Sequence, residues 1–171
     1  NNGESLVFEQ DTGRFMTVES NAVKSIYSSV RDVFAFEKDG ARYLAFLGTT
    51  NQAAGCKRIS VYLARYVAPD AGLNLSLDAP TKLWETEDAC TAPVDNNAGG
   101  RIVYRGGRFF ISTGFFMGGG NLNDTPDFSL RSDSSFGKVL EIDWAGRAQA
   151  ISSGHRNPQG LFFAKSGSVL F

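Results

Sequence analysis

The sequence predicts an all-β protein, and three observations carry that reading. Its apolar runs are short, rich in Val, Ile, Phe and Tyr, and punctuated by Gly, Asn and Asp; 19 glycines and 14 phenylalanines stand among 171 residues. No stretch holds an apolar period of 3.6 long enough for a long helix. A unit of apolar strand, tight turn and apolar strand begins at Val33 and returns at Ile102 and at Leu161, as a degenerate repeat.

Residues 5–8 and 14–18 read as a hairpin around the turn Asp11-Thr12-Gly13. Residues 21–29 read as a loop. The first repeat sets Val33-Phe34-Ala35-Phe36 against Tyr43-Leu44-Ala45-Phe46-Leu47 across Lys38-Asp39-Gly40. Residues 59–66 then alternate cleanly, and 82–86 supply a further strand. The second repeat joins Ile102-Val103-Tyr104 to Phe109-Phe110-Ile111 through Gly106-Gly107. Residues 138–143 and 148–151 follow it, around Ala145-Gly146. The third repeat, residues 161–171, turns at Ser166-Gly167. Each repeat is thus an inner pair of strands followed by two outer ones. Four-stranded sheets repeated radially are propeller blades, and a β-sandwich is the alternative. The chain has room for about three blades, whereas closed propellers need roughly 4–8.

A hydrophobic fraction of 42% and a charged fraction of 20% are those of a globular domain large enough for a sizeable core. A net charge of −1 gives no reason to expect nucleic acid or an anionic membrane surface as partner. No apolar run is long enough to span a membrane. The chain begins without Met and stops inside the apolar run Ser168-Val169-Leu170-Phe171. Residues 1–171 are therefore expected to be a partial domain, truncated at the C-terminal end and at the N-terminal end too. Cys56 and Cys90 are too far apart for a CxxC motif, and a single histidine cannot complete an ordinary zinc site. That leaves two buried thiols, or one disulfide in an oxidising compartment. Trp84 and Trp144 read as packing residues of the core or a blade edge.

The densest chemistry lies in Ser153-Gly154-His155-Arg156-Asn157-Pro158-Gln159-Gly160, which holds the chain's only histidine. Pro158 biases Asn157 away from helix, so the segment should be a rigid turn. Arg156 offers a planar fork of donors for a carboxylate or another array of oxygens. The alternative is a structural loop whose arginine satisfies carbonyls.

GHRNPQG resembles the signature of the soluble, pyrroloquinoline-quinone (PQQ)-dependent glucose/sorbosone dehydrogenase family. Two further stretches agree in order and spacing: Gly99-Gly100-Arg101-Ile102-Val103 leading to Ser112-Thr113-Gly114, and residues 134–143, SSFGKVLEID. The resemblance covers residues 30 to 171. It implies a six-bladed propeller, of which this chain would be about half, and an exported protein, periplasmic or secreted. Similar family members carry cysteines in matching places, which implies a Cys56–Cys90 disulfide.

The chemistry implied is oxidation of an aldose or related hydroxyl compound. The quinone accepts a hydride from the sugar, a histidine takes the hydroxyl proton, and an aspartate orients that histidine. The base position falls on Asn97, an amide that cannot act as a base near neutral pH. The orienting position falls on Phe115. Asp95 is a conceivable substitute base or a turn residue. The quinone-contacting pair maps onto Arg156 and Asn157, and Asn96 stands where another polar contact to the cofactor is expected. Calcium, in the family, is held partly by backbone carbonyls of a segment after Phe171, outside this sequence. His155 and Gln159 are expected to hold the turn.

The long loop from Phe115 to Ser135 belongs, by resemblance, to the face that surrounds quinone and sugar; otherwise it is a solvated insertion. Its Gly118-Gly119-Gly120 lacks the lysine and setting of a phosphate cradle. Beside the dehydrogenase reading stand a non-catalytic propeller that binds a sugar or a protein partner, and a cofactor-binding propeller whose base comes from elsewhere.

Overall fold

The computed structural model describes residues 4–9, 14–19, 21–67, 76–87, 90, 97–115, 128–164, 167 and 169–170. The first hairpin is present as strands β1 (Glu4–Glu9) and β2 (Arg14–Glu19), paired antiparallel; its expected turn lies outside the described residues. The segment expected to be a loop instead opens with a short helix, α1 (Asn21–Ile26). Tertiary packing decides this, because Val23 on the helix and Tyr27 just beyond it are buried against the neighbouring sheet.

That sheet contains β3 (Ser29–Lys38), β4 (Ala41–Asn51), β5 (Lys57–Val67) and a two-residue strand β6 (Ser76–Leu77) on the end of β5. Strand β7 (Thr81–Glu85) also pairs with β5. The second sheet is β8 (Gly99–Arg105), β9 (Arg108–Thr113), β10 (Lys138–Ile142) and β11 (Ala148–Ser153). Its strands lie side by side in chain order, all antiparallel. A short pair, β12 (Phe162–Phe163) and β13 (Val169–Leu170), follows. Each large sheet is thus an up-and-down meander, the form of a propeller blade, without the Greek-key crossing of most sandwiches.

The turns explain the meanders. Asp39 and Gly40 have φ of 52° and 73°, and Gly106 and Gly107 have 58° and 78°. Two-residue loops with both φ positive match the twist of the strands they join. We call this the turn end of the sheets. The opposite, loop end carries the longer connections.

The two sheets pack face to face. Ala45, Leu47, Ile59, Val61 and Leu63 from the first meet Ile102, Phe109, Ile111, Leu140 and Ile142 from the second. The first sheet is covered on its other face by α1, so Leu44 through Thr50 are buried without a break. The hydroxyl of Tyr27 donates to the carbonyl of Phe46 at 2.8 Å, and burial pushes its pKa up. On the far face of the second sheet, Phe110 meets Phe163 edge to face at 5.0 Å, and the Arg105 guanidinium lies over the Phe163 ring. Strand β11 is the solvated outer edge.

Cys56 and Cys90 are bonded to each other. The bond ties the start of β5 to the segment that leads towards Asn97, and the chain-entropy estimate for such a closed loop is about 3–4 kcal/mol. A disulfide is consistent with an oxidising compartment. Among the described residues, no helix is long and apolar enough to cross a membrane.

Candidate functional site

The stretches singled out in the sequence meet at the loop end of the second sheet. Backbone hydrogen bonds assemble them: Gly114 N–H donates to Ala98 O at 2.7 Å, Gly137 N–H to Gly114 O at 3.2 Å, and His155 N–H to Gly137 O at 3.0 Å. Gly114 has no room for a side chain, since a Cβ would stand 1.8 Å from Asn97 O. Gly100, at φ 129°, sits beside the bulge of β8, and a Cβ there would meet the Arg31 side chain at 2.5 Å. Glycine therefore lets the inner strands β3 and β8 approach each other.

The 154–160 segment crosses the tops of β8 and β9. The Asn157 side-chain carbonyl accepts from Gly99 N–H at 3.0 Å, Pro158 O accepts from Ser112 Oγ at 3.0 Å, and Gln159 O accepts from Arg101 Nε at 2.8 Å. Arg101 also reaches Asp32 on β3, with Nη1 at 3.3 Å from Oδ1, while Ile102 N–H donates to Asp32 Oδ2 at 2.9 Å. Burial raises the Asp32 pKa, partly offset by these donors. Ionised Asp32 thus weighs against the fold as pH rises through its raised value, the reverse of an ordinary ion-paired carboxylate.

Lys138, at the start of β10, is a residue that sequence reasoning passed over. It is only 2% exposed, and its ammonium donates to the carbonyls of Phe128 (3.3 Å) and Ser129. Thr113 Oγ1 accepts from Lys138 N–H at 3.1 Å and donates to Ser135 O at 2.6 Å. The available signal was a lysine between Gly137 and the apolar pair Val139-Leu140, where a strand turns inward. Lys138 has a consequence for the histidine. His155 is held by Ser152, whose Oγ lies 2.8 Å from Nε2. Burial first, and the nearby Lys138 charge second, lower its pKa below the ordinary 6.5. The imidazole is therefore neutral at pH 7, and its share of stability is present above its unfolded pKa and lost as pH falls through the lowered one.

The expected site residues fall as follows. Asn97 stands at the mouth of this end, half-buried, with a φ of 58°. Arg156 is exposed, and its carbonyl accepts from Phe115 N–H at 3.3 Å. Asn157 is half-buried with its carbonyl committed to Gly99, leaving its amide N–H groups for other partners. Phe115 packs against the core. His155 and Gln159 take part in holding the turn. Asn96 and Asp95 lie outside the described residues, as do positions 116–127 of the long loop. Trp84 and Trp144 both pack against the core.

What the geometry defines is an all-β class: stacked antiparallel meanders with polar loops gathered at one end. No family model matches the chain, and no curated protein matches it. Solved structures do. A glucose dehydrogenase matches with a TM-score of 0.62 at 17% identity, over 98% of this chain and 54% of that one. A second glucose dehydrogenase structure matches with a TM-score of 0.58 at 18% identity, over 98% of this chain and 51% of that one. The chain spans about half the length of these structures, and its fold is glucose dehydrogenase-like.

Proposed function

We propose that this chain is part of a six-bladed propeller of the glucose/sorbosone dehydrogenase type, exported to the periplasm or secreted, that binds PQQ and an aldose or related sugar at the loop end. The observation that carries the reading is the convergence of Gly99–Arg101, Ser112–Gly114, Gly137–Lys138 and His155–Asn157 on one sheet end. The donors there suit the cofactor. The Arg156 side chain is exposed and has no hydrogen bond or ion pair among the described residues, and the Asn157 amide N–H groups point to the same oxygen-rich class of ligand. Bound quinone supplies a two-electron acceptor for the hydride of the sugar C–H. Arg156 then binds and orients it and offsets negative charge that develops on reduction. Asn97 can donate to or accept from the sugar hydroxyl but cannot remove its proton. Calcium enters this proposal with the quinone, on ligands outside this sequence.

The test is a spectroscopic titration of the whole protein with PQQ and calcium. Arg156→Ala is expected to weaken quinone binding roughly 10–100-fold, the loss of one or two charge-assisted hydrogen bonds at about 1.5–3 kcal/mol. Unchanged affinity would remove Arg156 from the site. A second reading, a propeller that binds sugar or a protein partner without catalysis, is favoured by Asn97 and Phe115 standing where a base and its orienting carboxylate are needed. Binding of quinone with no bleaching on addition of aldose would select it.

A further inference from the structure

We propose a second binding site, for a neutral pyranose sugar, at the turn end of the sheets and separate from the loop-end site. A cleft of about 540 Å³ opens there between the outer part of the first sheet and Trp144. That volume lies within the range of small-molecule sites, roughly 300–1,000 Å³.

Its walls combine two kinds of surface. Trp144 and Tyr43 form one, with ring centroids 5.6 Å apart and planes at 69°. Trp144 is set in place by its neighbours: Phe109 packs at 5.3 Å, Phe36 at 6.0 Å, and its indole N–H donates to Tyr104 Oη at 3.3 Å. Such a wall is rigid before any ligand arrives, so little ordering cost remains for binding. Arg65, Asp78 and Thr81 form the other surface. The Asp78 N–H donates to Arg65 O at 3.0 Å, which brings the two residues opposite each other where β5 meets β6. Their side chains nevertheless make no hydrogen bond or ion pair among the described residues, with each other or with any neighbour. A guanidinium fork and a carboxylate fork thus face one cleft, neither paired among the described residues.

The charges decide the ligand class. Arg65 and Asp78 cancel, and Lys82 at the rim is already paired with Glu85 at 2.7 Å. A simple anion would meet the Asp78 carboxylate, and a simple cation would meet Arg65. A pyranose fits both walls: its C–H face packs on the aromatic rings, and its adjacent hydroxyls both donate to Asp78 and accept from Arg65.

The experiment is calorimetric titration of the whole protein with methyl glucoside, methyl galactoside and methyl mannoside, without quinone. Tryptophan emission is followed in the parent protein and in Trp144→Phe, so that the Trp144 contribution is read by difference. Saturable binding of at least one glycoside with a change in Trp144 emission is expected. Asp78→Ala and Arg65→Ala, both at exposed positions, should each weaken it at least tenfold. Quinone binding, measured on the same variants, should keep its original strength, so failure of this site and failure of the loop-end reading are seen separately. Absence of saturable binding to all three glycosides would overturn the proposal. So would binding that is indifferent to both variants, or that leaves Trp144 emission unchanged.

Discussion

Gly114→Ala should unfold this end of the protein. The new methyl would lie 1.8 Å from Asn97 O and 2.5 Å from Gly99 N, both backbone atoms that cannot swing aside. Relief requires prising residues 97–99 off the end of β9, which also breaks the hydrogen bond from Gly114 N–H to Ala98 O. We expect a loss of at least about 3 kcal/mol, in the class of severe overpacking. Gly40→Ala is the natural comparison. Gly40 has a φ of 73° but nothing within 4 Å of a built Cβ, so that variant should lose only about 1–2 kcal/mol from backbone strain. Chemical denaturation of both variants checks this. Equal midpoints would mean that the close approach of the 97–99 backbone to Gly114 does not exist in solution.

The largest expected change in activity comes from Asn97→His. Position 97 has a φ of 58°, a left-handed conformation in which Asn and His are both enriched, so the substitution adds no backbone strain. If the loop end binds quinone and sugar as proposed, an imidazole there gains the role that the amide lacks. The imidazole would take the hydroxyl proton, while bound quinone would accept the hydride of the sugar C–H with its electron pair. General base catalysis of this kind contributes about 10²–10⁴-fold. Single-turnover bleaching of the quinone should accelerate by that factor and acquire a rising limb centred near the ordinary histidine pKa of ~6.5. Unaltered rates with quinone binding intact would show that position 97 does not face the reacting hydroxyl.

The strands were legible because their signals are local. Alternation across residues 59–66 and the paired turns at Asp39-Gly40 and Gly106-Gly107 need no tertiary information, and the elements found there are β5 and the β3–β4 and β8–β9 hairpins. The helix α1 was not legible. Its six residues carry too little periodicity, and what forms it is the surface of β4 and β5 that receives Val23 and Tyr27. Strand β6 escaped for the same reason, since two residues acquire strand geometry only by joining the end of β5. At the candidate site, resemblance drew attention to the residues of the GHRNPQG turn. It did not reveal that Asn157 spends its carbonyl on Gly99, or that Asp32 and Arg101 link the inner strands. Those are contacts between residues far apart in the chain, visible only once the sheets are stacked. Lys138 was hidden by type: lysine is rarely buried, and the carbonyls of Phe128 and Ser129 that receive its ammonium help make the position tolerable.

The meander topology also sets an order of folding. Each sheet is drawn from one continuous stretch of chain, and its inner hairpins, β3–β4 and β8–β9, close through two-residue turns. The loop-end contacts are of another kind: Gly99 reaches Asn157 and Arg101 reaches Gln159 across 58 positions. They cannot form until both ends of the second sheet exist, and they contribute few buried apolar atoms of their own. The site is therefore the last region to close and the first to open, on a scaffold that stays intact beneath it. Amide exchange should follow that order, with Gly99 and Phe115 exchanging well before Ile111; equal protection at all three would mean that site and sheet close as one cooperative unit.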